Sequence, residues 1–247
     1  HLANCALEGK APTRDQAMAV LRASKDDLLP LLQAVFRVRS RYFGRDVRIH
    51  VLQNAKSGVC PEDCSFCSQS LSSRSEVERY RIQTVDELVD GARKAYELGA
   101  VTYCMVTATR GPSSNELKTV CDAVRQIKSE MPLKICTSLG LLSPQQAEQL
   151  ADAGVDRFNH NLESSRRFFP KVCGTHTWDD RVNTIRAAKA AGMEACCGGI
   201  VGMGETHEDR VSMAFELREL GVESIPINFL DPRPGTPMAD NPRLTPG

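Results

Sequence analysis

From residue 47 onward, short apolar runs alternate with amphipathic helical ones, and that alternation leaves few folds open to the chain. The strand-type runs are VRIHVLQNA (47–55), AVTYCMVTA (100–108), LKICTSLG (133–140), DRFNHNLES (156–164), MEACCGGIVG (193–202) and SIPINFLDP (224–232). Helical runs fill the gaps at 84–99, 113–131, 143–154, 178–192 and 206–221. Several begin at Ser, Thr or Asp and end at Gly, as helix caps prefer. Strand–helix units of about 30 residues, joined by right-handed crossovers, build a parallel sheet. Six strands are predicted. A closed eight-stranded barrel needs two more, and an open doubly wound sheet is the alternative. No G-x-G-x-x-G follows the first strand, which counts against dinucleotide binding. Two further helices are predicted earlier, at 13–23 behind Thr13 and at 26–44, with Pro30 near its start and Gly44 at its end. Residues 1–46 thus read as an N-terminal helical extension and 47–247 as the α/β unit.

Composition narrows the function. The 247 residues carry 31 basic and 31 acidic side chains, so no global field favours nucleic acid or an anionic membrane. No apolar run approaches the roughly 20 residues needed to span a bilayer, and nothing at the start has the form of a signal peptide. A cytoplasmic protein is expected. The chain begins at His1 rather than Met, as a processed, trimmed or incompletely recorded N-terminus would, and its Pro-rich end, DPRPGTPMADNPRLTPG, stops in mid-architecture.

Ten cysteines are distributed unevenly. Cys60, Cys64 and Cys67 fall in CPEDCSFC, a C-x3-C-x2-C run. Disulfides suit small secreted scaffolds with poor cores. Structural zinc usually takes its ligands as two pairs. Three thiolates from one loop suit a four-iron cluster that keeps one iron open, where a small molecule can bind. Cys104, Cys136 and Cys196 lie in predicted strands, separated by 32 and 60 residues, close to one and two βα units. If all point inward they form a second metal site; the alternative is that each is a small buried hydrophobe. Cys197 must face away from Cys196, and the pattern alone does not say which of the two joins the set. Cys5, Cys121 and Cys173 fall in a tail, a helix and a loop and read as structural.

In NHNLE (159–163), Asn159, Asn161 and Glu163 share one face of the predicted strand. Barrel interiors are usually filled by Val, Ile and Leu, so inward amides and a carboxylate need partners. A polar ligand with ureido, amide or ribose groups supplies them; an irregular, solvated strand end is the alternative. Asn228, in PINFL, is similar. GGIVGMGE (198–205) is a glycine-rich turn that lets a ligand approach the backbone. Arg181 reads by default as a solvated helix residue, and His50 and His160 as satisfied strand residues.

Together, CPEDCSFC preceded by NAKSG, then TYC, KICTSLGLLS, AGVDRFNHNLESS, TWDDRVNTI, CCGGIVGMGET and PINFLDPRPGTPM resemble the biotin synthase family of radical S-adenosylmethionine enzymes, from about residue 10 to the end. The resemblance implies a TIM-type (β/α) barrel of the radical SAM kind, with six of its eight strands in this chain. It implies a 4Fe–4S cluster on Cys60, Cys64 and Cys67 whose open iron holds S-adenosylmethionine. It implies sulfur insertion into dethiobiotin by way of a 5′-deoxyadenosyl radical, a sulfurtransferase reaction. The sulfur comes from an auxiliary 2Fe–2S cluster on Cys104, Cys136 and Cys196. By the same carry-over, Asn161 and Glu163 touch the ribose of S-adenosylmethionine, Arg181 its carboxylate, and Phe66 and Ile200 its adenine. Asn159, Asn161 and Asn228 surround the ureido ring of dethiobiotin. A homodimer and an electron donor such as flavodoxin or ferredoxin are further implications, with no nucleic-acid or membrane partner.

Three departures stand out. Phe66 replaces a frequent Tyr, Glu163 stands where Asp also occurs, and the chain stops before the family's fourth auxiliary ligand, an arginine, and the last two barrel strands. A fragment is therefore expected, with exposed sheet edges. Two other readings compete: a related barrel enzyme such as the maturase of iron-only hydrogenase, which does not ask for thiols on all of strands two, three and five, and a non-catalytic module with a structural zinc or iron site.

Overall fold

The computed structural model describes residues 1–58 and 60–245. Three helices, α1 (Leu2–Leu7), α2 (Arg14–Leu21) and α3 (Leu28–Phe43), precede the sheet. α2 starts on a capping box between Thr13 and Gln16, and α3 ends at Gly44 with φ 56°. The stretch expected to be a tail at Cys5 is the short helix α1.

Five strands pair in parallel and in chain order: β1 (His50–Lys56), β2 (Thr102–Thr107), β3 (Lys134–Ser138), β4 (Arg157–Asn159) and β5 (Glu194–Cys196). Helices α4 (Val85–Glu97), α5 (Ser114–Glu130), α6 (Pro144–Ala153) and α7 (Trp178–Ala190) make the crossovers. A second parallel pair, β6 (Gly199–Val201) and β7 (Ile227–Phe229), is joined through α8 (His207–Glu219). Each crossover helix opens on a capping box: Thr84 with Glu87, Ser113 with Glu116, Ser143 with Gln146, Thr177 with Asp180 and Thr206 with Asp209. In each, two backbone donors that the first helical turn would leave unpaired are satisfied.

Strand alternation sorts the sheet into two faces. Tyr103, Met105, Ile135 and Phe158 point outward and are fully buried beneath the helices, each contributing about 1.5–3 kcal/mol by leaving water. Cys104, Cys136, Arg157, Asn159 and Cys196 occupy the positions between them. The inner face is thus lined by thiols and polar groups rather than by the branched aliphatics that fill an ordinary barrel.

Two predicted strands are interrupted. The run 193–202 is divided at Cys197–Gly198 into β5 and β6, where the neighbouring Pro226 has no N–H to donate to the ladder. The strand's own donors still pair across the division, Cys197 N–H with the Ser224 carbonyl at 2.9 Å and Gly199 N–H with that of Pro226 at 3.1 Å. The run 156–164 is regular only to Asn159; at Glu163 the chain turns to φ 66° and bridges Gly199. These irregular segments carry the sheet's connection past β5, through the bridges Cys196–Ser224 and Glu163–Gly199.

Candidate active site

The loop after β1 carries Cys60, Cys64 and Cys67. Backbone bonds shape it: the Cys60 N–H donates to the Gln69 carbonyl at 3.1 Å, Cys67 to Cys64 at 3.0 Å and Ser65 to Val172 at 2.9 Å. Cys64 is buried and the other two are half-buried. Burial pushes the Cys60 and Cys67 thiols up, and the neighbouring Cys173 together with burial pushes Cys64 up further. Water solvates such thiolates poorly, so a bound cation is what would stabilise them in the charged form.

Arg181 ties this loop to NHNLE. The residue is 6% exposed and is not on the solvated face the helical pattern suggested. Helix α7 directs it inward, where Nε donates to His176 Nε2 at 2.9 Å and Nη1 to the Asn161 carbonyl at 2.7 Å. Nη1 lies 3.5 Å from Glu163 Oε1, and Nη2 lies 3.7 Å from Cys64 Sγ. Phe169 stacks against the guanidinium at 5.3 Å. One cation therefore touches the cysteine loop and the polar strand end together.

Glu163 is 6% exposed, and burial raises its carboxyl while Arg181 partly opposes the shift. It is the only described non-glycine residue with positive φ, a conformation that costs about 1–3 kcal/mol and gathers at functional sites. Its Oε2 is buried without a hydrogen-bond partner. A buried carboxylate oxygen left unpaired is expensive, so this atom marks a place where a ligand hydroxyl fits. Asn161 is beside it, its Oδ1 accepting from the Gly198 N–H at 3.1 Å. Phe66 and Ile200, far apart in sequence, both pack on one apolar cluster with Phe168, Val172, Met203, Leu230 and Met238. They form an apolar wall of the kind a flat heterocycle stacks upon.

The second cysteine group sits on the inner face. Cys104 and Cys136 are register partners across β2 and β3, and Cys136 pairs in register with Arg157. Asn159 pairs in register with Cys196, and its Nδ2 lies 3.2 Å from both the Cys196 carbonyl and Sγ. The Cys104 thiol and burial together push Cys136 up. Cys197 is fully buried in the outer apolar cluster with Leu162, Ile185 and Leu217, so Cys196 is the inward member of the pair. Asn228 lies on the exposed strand β7, in register with Ile200.

Several residues near these groups escape a reading by residue type. Arg157 donates to Glu194 Oε2 at 2.9 Å and interacts electrostatically with Cys136 and Cys196. Cys173, expected to be merely structural, meets Cys64 and His176, and its spacing to His176, C-x2-H, was a ligand-type signal. Glu62 and Asp63, inside the cysteine loop, bond to His176 and Cys173. His160 is buried with Nε2 unpartnered, not satisfied as expected, and burial holds it well below the usual histidine range.

Comparison with known proteins identifies the family and the fold. The family model of the radical SAM superfamily matches residues 55–217. The chain is 59% identical over 239 residues to a biotin synthase of Salinibacter ruber, covering 97% of this chain and 67% of that protein. It is 51% identical over 245 residues to a biotin synthase of Rhodopirellula baltica, covering 99% and 68%. Among solved structures it resembles methylornithine synthase, with TM-score 0.87 at 23% identity over 97% of this chain and 71% of that one. It also resembles the FeFe-hydrogenase maturase HydG of Carboxydothermus hydrogenoformans, with TM-score 0.82 at 17% identity over 99% and 59%. At such identities these two likenesses speak for the fold alone. Among the described residues no helix is long and apolar enough to cross a membrane.

Proposed function

We propose a function for this chain from one premise: it belongs to the biotin synthase family, within the radical SAM superfamily. It inserts sulfur into dethiobiotin to form biotin. The observation that carries the reading is Arg181, whose single side chain touches Cys64, Asn161 and Glu163.

The residues fit the groups this chemistry needs. Cys60, Cys64 and Cys67 would hold a 4Fe–4S cluster, and the register-paired Cys104 and Cys136, with Cys196, a 2Fe–2S cluster. With S-adenosylmethionine, these cofactors supply a 5′-deoxyadenosyl radical for hydrogen abstraction and the sulfur to be inserted. The chain's share is placement and exclusion of water. The unpartnered Glu163 Oε2 accepts from a ribose hydroxyl, with Asn161 beside it. Arg181 offers its guanidinium to the carboxylate of S-adenosylmethionine, and Phe66 and Ile200 flank the adenine. Asn159, held at the auxiliary cysteines by Cys196, brings an amide to the ureido ring, with Asn161 and Asn228 as further partners. A homodimer, a flavodoxin- or ferredoxin-type electron donor and a cytoplasmic setting belong to the same reading.

The test is anaerobic incubation with dethiobiotin, S-adenosylmethionine and a reductant, assaying biotin and 5′-deoxyadenosine. Both products are expected. Cys64→Ala removes both, and Cys136→Ala removes biotin while leaving deoxyadenosine. Biotin formation that survives in Cys136→Ala overturns the sulfur-donor assignment. Deoxyadenosine without biotin in the unaltered chain favours a related barrel radical enzyme.

A further inference from the structure

Beside the cysteine triplet, Cys64 has two further donor neighbours, Cys173 and His176, that the proposed reaction does not use. Cys64 Sγ, Cys173 Sγ and a ring nitrogen of His176 lie within 4.8 Å of one another. All three residues are buried, at 8%, 5% and 7% exposure. We propose that Cys64, Cys173 and His176 form a site for one divalent metal ion of the zinc type, distinct from a cluster on the triplet and exclusive with it, because both need Cys64.

The geometry suits such an ion. Zinc–sulfur and zinc–nitrogen bonds of about 2.3 and 2.05 Å at a tetrahedral angle place the two donors about 3.6 Å apart. Cys173 Sγ lies 3.3 Å from His176 Nδ1 and 3.9 Å from Nε2, either side of that value. Nδ1 is 2.5 Å from Glu62 Oε2, which leaves Nε2 for a metal once Arg181, now donating to it at 2.9 Å, moves aside. A histidine that donates one N–H to a carboxylate and offers the other nitrogen to metal is the usual supporting arrangement. Glu62 is fixed in turn by Arg110 Nη1 at 3.1 Å and by the Thr175 hydroxyl. Asp63 Oδ1 lies 3.1 Å from Cys173 Sγ and accepts from the Gly174 N–H at 2.9 Å, so it holds the Cys173 end of the group without belonging to it.

The space between these donors already attracts positive charge. Arg181 Nε sits 2.9 Å from His176 Nε2, and Nη2 sits 3.7 Å from Cys64 Sγ. The guanidinium thus satisfies the two atoms that a metal would bind. It can yield, since Nη1 already reaches the Asn161 carbonyl and Glu163. A doubly charged ion with two thiolates and an imidazole is a better match than one guanidinium shared among them. A protein holding such an ion cannot offer Cys64 to a cluster, so the site defines a metal-bound, cluster-free form.

The test is titration of reduced, chelator-stripped, anaerobic full chain with Co2+, which reports each thiolate bond by charge-transfer absorption, followed by displacement with Zn2+. One equivalent is expected, with tetrahedral d–d bands. Cys60→Ala and Cys67→Ala keep the wild-type charge-transfer intensity, whereas Cys173→Ala loses about half of it. His176→Asn, which retains every thiol, shifts the d–d bands; circular dichroism checks that each variant is folded. Loss of the signal in Cys60→Ala or Cys67→Ala, or an unchanged spectrum in both Cys173→Ala and His176→Asn, puts the ion on the triplet and overturns the proposal. Failure of the unaltered chain to bind Co2+ at stoichiometric concentration overturns it too. None of these outcomes depends on S-adenosylmethionine or on a cluster.

Discussion

Replacing Arg181 by Met keeps the side-chain length and removes the charge that faces Glu163. Both groups are under a tenth exposed, so the carboxylate is left buried without a cation. Removing one partner of such a pair typically costs about 3–5 kcal/mol. Glu163 can escape by binding a proton, and that sets a ceiling. Protonating a carboxyl with unfolded pKa about 4.3 costs about 3.7 kcal/mol at pH 7 and about 1.6 kcal/mol at pH 5.5. The folded pKa of Glu163 lies above its unfolded value, so its contribution is most favourable below the unfolded pKa and is lost as pH rises. Without Arg181 that loss deepens. Urea unfolding of the reduced, cluster-free protein, followed by circular dichroism, measures it. Arg181→Met should lose about 2–4 kcal/mol at pH 7 and clearly less at pH 5.5. Adding Glu163→Gln should recover roughly 1–2 kcal/mol at pH 7 and flatten the pH dependence. A loss equal at both pH values, or a double variant no more stable than Arg181→Met, refutes the charge-pair account.

Four further outcomes follow from the packing. Cys196→Ala should abolish auxiliary-cluster absorption on anaerobic reconstitution. Cys197→Ala, at a fully buried apolar position, should retain that absorption and lose about 1–2 kcal/mol in urea unfolding. Asp209 is buried, accepts from Ser165 Oγ at 2.6 Å and Thr206 N at 2.9 Å, and pairs with Arg167. These hydrogen bonds outweigh its burial and hold its carboxyl well below the usual range. It therefore stabilises above the unfolded pKa of about 3.9, and the benefit disappears as pH falls through the folded value. Asp209→Ala should cost about 2–3 kcal/mol at pH 7, with the gap to wild type closing below about pH 3. Gly198→Ala, whose Cβ would meet the Pro226 oxygen at 1.8 Å, should cost at least about 2 kcal/mol in the same unfolding assay.

The crossover helices were legible because their signals are local. Thr84, Ser113, Ser143, Thr177 and Thr206 each stand three residues before the Glu, Gln or Asp that closes the box. The thiols on β2 and β3 were legible because 32 residues is one strand–helix unit, and register then sets Cys104 against Cys136. Composition hid what depends on tertiary contact. Nothing local in NHNLE foretells that the strand ends at Asn159, since Glu163 is held at φ 66° by pairing with Gly199. Arg181 has an ordinary helical neighbourhood, and only the crowding of Cys64, Asn161, Glu163 and His176 around it draws it inward. Cys173 and His176 reach Cys64 across more than a hundred residues of chain, a meeting no periodicity records. The division at Gly198 lies beside Pro226, in a later segment.

The most direct measurement is the electron paramagnetic resonance spectrum of anaerobically reconstituted, reduced protein, taken with and without S-adenosylmethionine. A reduced four-iron signal that changes line shape on addition of S-adenosylmethionine, and is absent from Cys64→Ala, is the predicted result. A signal indifferent to S-adenosylmethionine, or one that persists in Cys64→Ala, contradicts an open iron held by Cys60, Cys64 and Cys67.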